Sequence, residues 1–212
     1  PDAVLCLAAG HTSLPVFEAF FRQGLDFSRA RFVGLDEWVG VAPDADGSCA
    51  RFLEQNFFSR ANVRRQNIRL FNALAEDLTA ECAAVESQIE AWGGIDYLLL
   101  GMGMNGHLAL NEPGDAFGHT AHVAELSATT KAVAPKYFSA GVPPLRQGIT
   151  LGVADFLRAR RVQLAVFGAA KAPVVARLLE FSAPTTELPA TALYSLPDAE
   201  LLLDAAAAGG AV

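Results

Sequence analysis

Apolar residues along this 212-residue chain fall into short unbroken runs separated by stretches of helical spacing. Val4 to Ala9 is the first run and breaks at Gly10. Its lack of polar alternation predicts a strand buried on both faces. From Ser13, apolar Leu14, Phe17 and Phe20/Phe21 recur at helical spacing, with Pro15 in the first turn, which predicts a helix. Arg31 to Leu35 reads as a second strand leading into Asp36-Glu37-Trp38, and Asp46-Gly47-Ser48 as a turn and cap before a helix through Phe52 and Phe57. Leu78 to Trp92 is the clearest amphipathic helix, stopped by Gly93-Gly94. Ile95 to Leu100 and Val162 to Phe167 are further core strands, each ending at a glycine; a helical stretch follows from Ala170 to Phe181, and Glu200 to Leu203 suits a last short strand.

Strands thus alternate with helices, the βαβ rhythm of an α/β protein with an open, mostly parallel sheet covered on both faces, Rossmann-like in plan. No stretch reads as an interdomain linker and no repeat is evident, so a single domain over residues 1–212 is expected. Because the chain opens on Pro1 rather than Met, a native N-terminal segment outside this sequence is also expected. In such sheets ligands bind beyond the carboxyl ends of the strands. Three strand ends therefore carry the interest: Ala9 to Ser13, Leu35-Asp36-Glu37, and Gly101 to Glu112.

Composition narrows the partners. The net charge of −7 argues against nucleic acid or an anionic membrane, but not against a phosphorylated substrate, which answers to a few local donors. No apolar run reaches the ~18 residues of a membrane span. The opening residues run directly into a strand rather than a charged-then-apolar leader, so a cytoplasmic protein is expected. Cys6, Cys49 and Cys82 are widely spaced with no CxxC pair and read as small core fillers. His11, His107, His119 and His122 show no tight ligand spacing and the cysteines do not join them, so no metal is expected; His119 and His122, three apart, read as surface residues.

Four segments are candidates for chemistry. In Ala9-Gly10-His11-Thr12-Ser13 a glycine permits a sharp turn, and hydroxyls with helix-start amides make an anion site; the same residues also suit an ordinary capped turn. The segment is neither a full GxGxxG nor a Walker loop, so no dinucleotide or nucleoside triphosphate is indicated, and no cofactor is expected. Asp36 and Glu37 at a strand end point in different directions, so one can face the crevice and move protons while the other pairs elsewhere, although a pair of solvated acids has the same pattern. The loop from Gly101 to Gly114 holds His107, whose side chain suits proton shuttling near neutral pH, with Asn105, Asn111 and Glu112. Glu112 is expected to hold a ring nitrogen of His107 and set its tautomer. Lys171, in Gly168-Ala169-Ala170-Lys171, and Lys136 are candidate phosphate ligands, or solvated lysines.

Taken in order, Leu35-Asp36-Glu37-Trp38-Val39, Asn105-Gly106-His107 with Asn111-Glu112-Pro113-Gly114, and Gly168-Ala169-Ala170-Lys171 resemble the glucosamine-6-phosphate deaminase/isomerase family and its galactosamine-6-phosphate relatives, from Val4 to about Ala205. The resemblance implies an enzyme of amino-sugar metabolism that isomerises and deaminates a phosphorylated amino sugar without a cofactor. Asp36 would shuttle the proton between C1 and C2, His107 would assist ring opening, and Glu112 would orient it. Gly10, His11, Thr12, Ser13 and Lys171 would hold the 6-phosphate, with Lys136 where glucosamine enzymes generally carry arginine. Asn105 stands where those enzymes typically have aspartate, which removes a charge favouring the protonated imidazole. Together with Trp38 and Gly148 to Gly152, it points to the galactosamine-6-phosphate branch. The 6-phosphogluconolactonases share the fold and a similar glycine-histidine loop but usually carry Asp-Glu-Arg at 36–38, which makes lactonase the alternative; a non-catalytic sugar-phosphate sensor is a third. A homo-oligomer stays open.

Overall fold

A computed structural model describes residues 2–139 and 141–210. The chain begins with β1 (Val4–Leu7), four residues that are all buried, as an unbroken apolar run requires. Its side chains alternate between two cores: Val4 and Cys6 enter one, Leu5 and Leu7 the other. A short 3-10 turn at His11–Ser13 then opens α1 (Leu14–Arg22), with Pro15 in its first turn. Next come β2 (Arg31–Gly34) and, after Leu35 alone, β3 (Asp36–Trp38). Ser48 caps α2 (Cys49–Leu53) by accepting from the Arg51 amide, and a π-helical turn continues to Phe58. Phe57 on that turn meets Phe17, Phe21, Phe27, Phe32 and Phe58 at ring separations of 5.0–5.7 Å.

After β4 (Ile68–Arg69), Asp77 caps α3 (Leu78–Ala91). The predicted stop at Gly93-Gly94 is a Schellman motif: the Gly93 amide donates to the Glu90 carbonyl, the Gly94 amide to that of Ile89, and Gly93 sits at φ 91°. Then follow β5 (Tyr97–Gly101), β6 (His122–Glu125), α4 (Ala128–Val133), β7 (Gln147–Thr150), α5 (Val153–Phe156), β8 (Val162–Val166), α6 (Ala172–Glu180) and β9 (Glu200–Leu203).

Six strands form one sheet in the order β4-β2-β1-β5-β8-β9, every pair parallel. Helices α3 and α6 cover one face, with Val85, Ile89, Val175 and Leu178 among the buried residues there. On the other face lie α1, α2 and the phenylalanine cluster. This is the expected open α/β plan. The chain leaves β1 toward β2 and β5 toward β8, so strand order reverses between β1 and β5, and a crevice opens beyond their carboxyl ends.

Over that crevice lies a second sheet that the sequence pattern does not predict, β3-β7-β6, antiparallel throughout. Asp36 pairs with Thr150, Glu37 with Ile149 and Trp38 with Gly148. Asp36-Glu37-Trp38 is therefore a strand in its own right rather than the loop that ends β2. Three-residue strands carrying two acids show no apolar run to read.

Candidate active site

The crevice is a cavity of about 230 Å³, walled by the loop after β1, by β3, by the start of α2, by the loop after β5, by α4 and the 3-10 turn after it, and by the turn before α6. Gly10, His11, Thr12, Ser13, Asp36, His107, Lys136 and Lys171, all singled out in the sequence, line it together.

Alternation along β3 separates the two acids as expected. Glu37 turns inward, 2 % exposed, and its carboxylate accepts from the Trp38 amide at 3.0 Å, the Ser48 hydroxyl at 2.7 Å, the Cys49 amide at 3.0 Å and the Ala50 amide at 2.9 Å. Three of these donors belong to the cap and first turn of α2, so Glu37 ties that helix start to β3. Asp36 faces the cavity, half-buried, and burial together with the Glu37 charge pushes its carboxyl up to about 7. A carboxyl with that pKa is a proton carrier at neutral pH.

His107 is held from behind. Its Nδ1 lies 2.7 Å from Asn105 Oδ1, and Asn105 Nδ2 donates to Glu112 Oε2 at 2.9 Å. A carboxylate only accepts, so Glu112 orients the amide and leaves Asn105 Oδ1 as the acceptor. Nδ1 then carries the ring proton and Nε2 keeps the free lone pair. Glu112 is 4 % exposed and also accepts from the Ser127 amide at 3.1 Å and from the Thr130 hydroxyl. Burial alone would raise this carboxyl, but His107, Thr130 and Asn105 outweigh it and draw it down to about 2.

The expectation that Glu112 holds the ring itself is corrected here. Its carboxylate is 3.6 Å from Nδ1, and the closer partners of that nitrogen are Asn105 and, at 3.2 Å, Thr130 Oγ1. Asn105 and Glu112 stand behind the ring rather than on the cavity wall. The intervening amide fills the space a direct contact would need. Asn111 braces the loop, donating to the Leu108 and Leu151 carbonyls at 3.0 and 2.9 Å.

The imidazole lies flat against Gly103: a Cβ there would sit 2.2 Å from its Cε1. Gly103→Ala is therefore expected to displace the ring and lower kcat/KM by about 10²-fold while leaving Tm nearly unchanged, as steady-state kinetics beside a melting curve will read.

The cationic pole is built from separate elements. Lys171 ends the 3-10 turn Ala169–Lys171, and its ammonium donates to the Met102 carbonyl. Burial, with Lys136 nearby, brings Lys171 down to about 8; burial alone lowers Lys136. Two desolvated lysines facing one cavity favour an anionic ligand. His11 stacks on Tyr137 at 6.3 Å and meets the Phe52 edge at 6.2 Å. The Ser13 hydroxyl turns inward and donates to the Ala8 carbonyl at 2.8 Å, so of the two hydroxyls in this loop Ser13 is already committed to the fold.

The cysteines divide. Cys6 and Cys82 are buried, as core fillers should be, but Cys49 is not one. The turn at Asp46-Gly47-Ser48 sets the start of α2 on the cavity wall, which Cys49 lines together with Asp36. Sequence reasoning also missed Glu37 as an anchor and Ser127 and Thr130 as partners of Glu112. Only Ser127 carried a local signal, as a cap before α4. His119 is exposed as expected and His122 half-buried, their rings 5.0 Å apart. Among the described residues no cluster of metal-ligating side chains occurs and no helix is long and apolar enough to cross a membrane.

Comparison with known proteins gives this constellation a setting. The family model described as glucosamine-6-phosphate isomerases/6-phosphogluconolactonase matches residues 1–202. The chain is 36 % identical to the glucosamine-6-phosphate deaminase of Geobacillus sp. (strain WCH70), over 96 % of this chain and 82 % of that protein. It is 36 % identical to that of Clostridium perfringens (strain 13 / Type A), over 98 % and 87 %. A solved monomeric glucosamine-6-phosphate deaminase superposes with a TM-score of 0.92 at 32 % identity, over 98 % of this chain and 87 % of the other. The 6-phosphogluconolactonase from Trypanosoma brucei shares the fold, with a TM-score of 0.75 at 20 % identity. With nearly its whole length matched, the chain belongs to the glucosamine-6-phosphate isomerase/6-phosphogluconolactonase family.

Proposed function

We propose that the chain isomerises and deaminates a 2-amino-2-deoxyhexose 6-phosphate, releasing ammonia and a ketose 6-phosphate. The observation that carries this reading is a cavity-facing carboxyl raised to about 7, Asp36, sharing one cavity with an imidazole whose tautomer is set and with two desolvated lysines. A proton transfer between neighbouring carbons needs the first, opening of a pyranose ring the second, and a phosphate the third.

In this mechanism His107 Nε2 takes the proton of the anomeric hydroxyl and delivers it to the ring oxygen as the C1–O5 bond breaks. Asp36 removes the C2 proton of the open-chain aldehyde while a solvent water protonates O1, giving an enolamine, and then returns its proton to C1. The resulting 2-iminium adds water, the carbinolamine gives its excess proton to solvent, and ammonia leaves as the ketone forms. The loop at Gly10–Thr12, with Lys171 and Lys136, binds the 6-phosphate, so binding energy remote from the reacting carbons fixes C1 and C2 against Asp36. Lys171→Ala is expected to raise KM between roughly 10- and 100-fold with a smaller change in kcat, the size of one lost charge-assisted hydrogen bond. An unchanged KM removes Lys171 from the phosphate site.

For the finer identity of the sugar, the names of the similar proteins favour glucosamine 6-phosphate. Galactosamine 6-phosphate rests on Asn105, whose side chain contacts His107, Glu112 and Ser127. The test is ammonia release from both epimers side by side, with 6-phosphogluconolactone hydrolysis as a control. Higher kcat/KM on one amino sugar names the epimer. Lactone hydrolysis without ammonia from either sugar overturns the proposal.

A further inference from the structure

Two side chains face Nδ1 of His107, and they come from distant parts of the sequence. Asn105 Oδ1, at 2.7 Å, belongs to the loop that carries the histidine; Thr130 Oγ1, at 3.2 Å, belongs to α4. One carboxylate sets both. Glu112 Oε2 accepts from Asn105 Nδ2 at 2.9 Å, and Glu112 Oε1 accepts from the Thr130 hydroxyl. Burial would raise the Glu112 carboxyl, but its partners draw it down to about 2, so it is ionised and only accepts. The single hydrogen of the Thr130 hydroxyl is therefore committed to Glu112, and only lone pairs are left to meet Nδ1.

The helix does not need this hydroxyl. Ser127 caps α4 by accepting from the Thr130 amide at 3.1 Å, and the Ser127 amide docks the helix start on Glu112 Oε1 at 3.1 Å. Both bonds use main-chain donors, so they survive removal of the Thr130 side-chain oxygen. The imidazole does have a use for it. Asn105 Oδ1 is shared, because it also accepts from the His107 amide at 3.3 Å. One shared acceptor fixes the direction of an N–H but lets the ring rock about that bond; a second, from a separate element, restrains it. Thr130 is 4 % exposed and lines the cavity beside His107.

We propose that Thr130 is a positioning residue for His107: its hydroxyl, turned by Glu112, is the second acceptor at Nδ1 and holds the imidazole with Nε2 toward the anomeric hydroxyl. The proposal rests on His107 being the group that opens the sugar ring. Glu112 then acts on the histidine by two routes, through the Asn105 amide within its own loop and through a hydroxyl on α4. Each route ends in an acceptor at Nδ1, so both favour the same tautomer, with the proton on Nδ1 and the lone pair of Nε2 free. Ser127 braces the pair from behind, its Oγ 3.3 Å from Asn105 Nδ2 and 3.2 Å from Thr130 Oγ1.

The test is 15N NMR of the His107 ring in the substrate-free protein at about pH 8, above the ordinary imidazole range, assigned by its absence in His107→Gln. Beside it, steady-state ammonia release from glucosamine and galactosamine 6-phosphates is measured for the wild type, Thr130→Val and Thr130→Ser. The wild type is expected to show a protonated Nδ1 and an unprotonated Nε2. Thr130→Val keeps the size of the side chain without its hydroxyl. In it the two shifts are expected to move toward each other as the tautomers mix, and kcat to fall about 10-fold with KM little changed, the effect of one lost hydrogen bond. Thr130→Ser returns a hydroxyl and is expected to recover the wild-type shifts and most of kcat, a rescue that a space-filling role would not give. Unmoved shifts in Thr130→Val overturn the proposal whatever the kinetics do, and so does a valine defect that serine fails to recover. If the wild type releases no ammonia from either sugar, the assigned reaction fails and the shifts alone decide whether Thr130 holds the ring. Should Thr130→Val not fold, Thr130→Ala is read in its place by the same criteria.

Discussion

Asp36→Asn is expected to lower kcat by about 10³-fold, within the 10²- to 10⁴-fold range of a lost general base, with KM little changed. The amide keeps the size of the carboxylate and its place on β3 but cannot take a proton from C2. The same substitution is expected to raise stability at alkaline pH. Burial and the Glu37 charge raise the folded-state pKa to about 7, above the 3.8 ordinary for an aspartate in an unfolded chain. The folded protein therefore binds this proton more tightly than the unfolded chain does, and stability falls as pH rises between those two values. Above pH 7 the wild type carries a charge that is unfavourable where it sits; the asparagine variant does not. Melting curves should show the variant with the higher Tm at pH 8 and the difference vanishing near pH 4. A variant with near-normal kcat removes Asp36 from the mechanism, and a lower Tm at pH 8 contradicts the electrostatic argument.

Glu37→Ala is expected to be the most damaging single change to the fold around the site. It leaves the Trp38, Cys49 and Ala50 amides without their acceptor, and the Ser48 hydroxyl with the Pro43 carbonyl at 3.3 Å in place of a carboxylate, in a region 2 % exposed at Glu37. Each unsatisfied buried group costs about 1–3 kcal/mol, and partial relaxation keeps the total nearer 3 kcal/mol than the full sum. For a chain of this size that corresponds to a drop in Tm of roughly 6–12 °C. Because the start of α2 lines the cavity beside Asp36, activity should fall as well, and more than in a variant of equal instability elsewhere. Denaturant unfolding measures the first effect and kinetics at low temperature the second.

The reach of the sequence can be seen element by element. β1, β5 and β8 were legible because central parallel strands are buried on both faces and so leave apolar runs at 4–7, 97–100 and, interrupted by Gln163 alone, 162–166. α3 was legible in its span and at its C-terminal end, through Gly93-Gly94, whereas the Asp77 cap at its start emerged from the structure. The second sheet was not. β3, β6 and β7 are three or four residues long, contain Asp, Glu, His, Gln and Gly, and owe their strand character to pairing across more than a hundred residues between Asp36 and Thr150.

The site divides in the same way. His107 and Asp36 stood out as polar groups at strand ends, where few reasons other than a ligand put them. The relay behind His107 did not, because its order in space differs from its order in sequence. Asn105, two residues before the histidine, intervenes between it and Glu112, while Thr130 arrives from α4. Cys49 was read as filler because cysteine has no local signature that tells a core position from a cavity wall; only the turn at Gly47 and the docking of α2 on Glu37 decide that.

The most direct measurement is proton NMR of the enzyme acting on glucosamine 6-phosphate in D2O, with ammonia assayed in the same tube. The account predicts one ammonia per 6-phospho-ketose, with the hydrogen taken from C2 carried to C1 of the product except in the fraction of turnovers where the Asp36 carboxyl exchanges with solvent first, and no detectable turnover by Asp36→Asn on the same time scale. Consumption of the sugar without ammonia, or a ketose product formed equally fast by the asparagine variant, would contradict it.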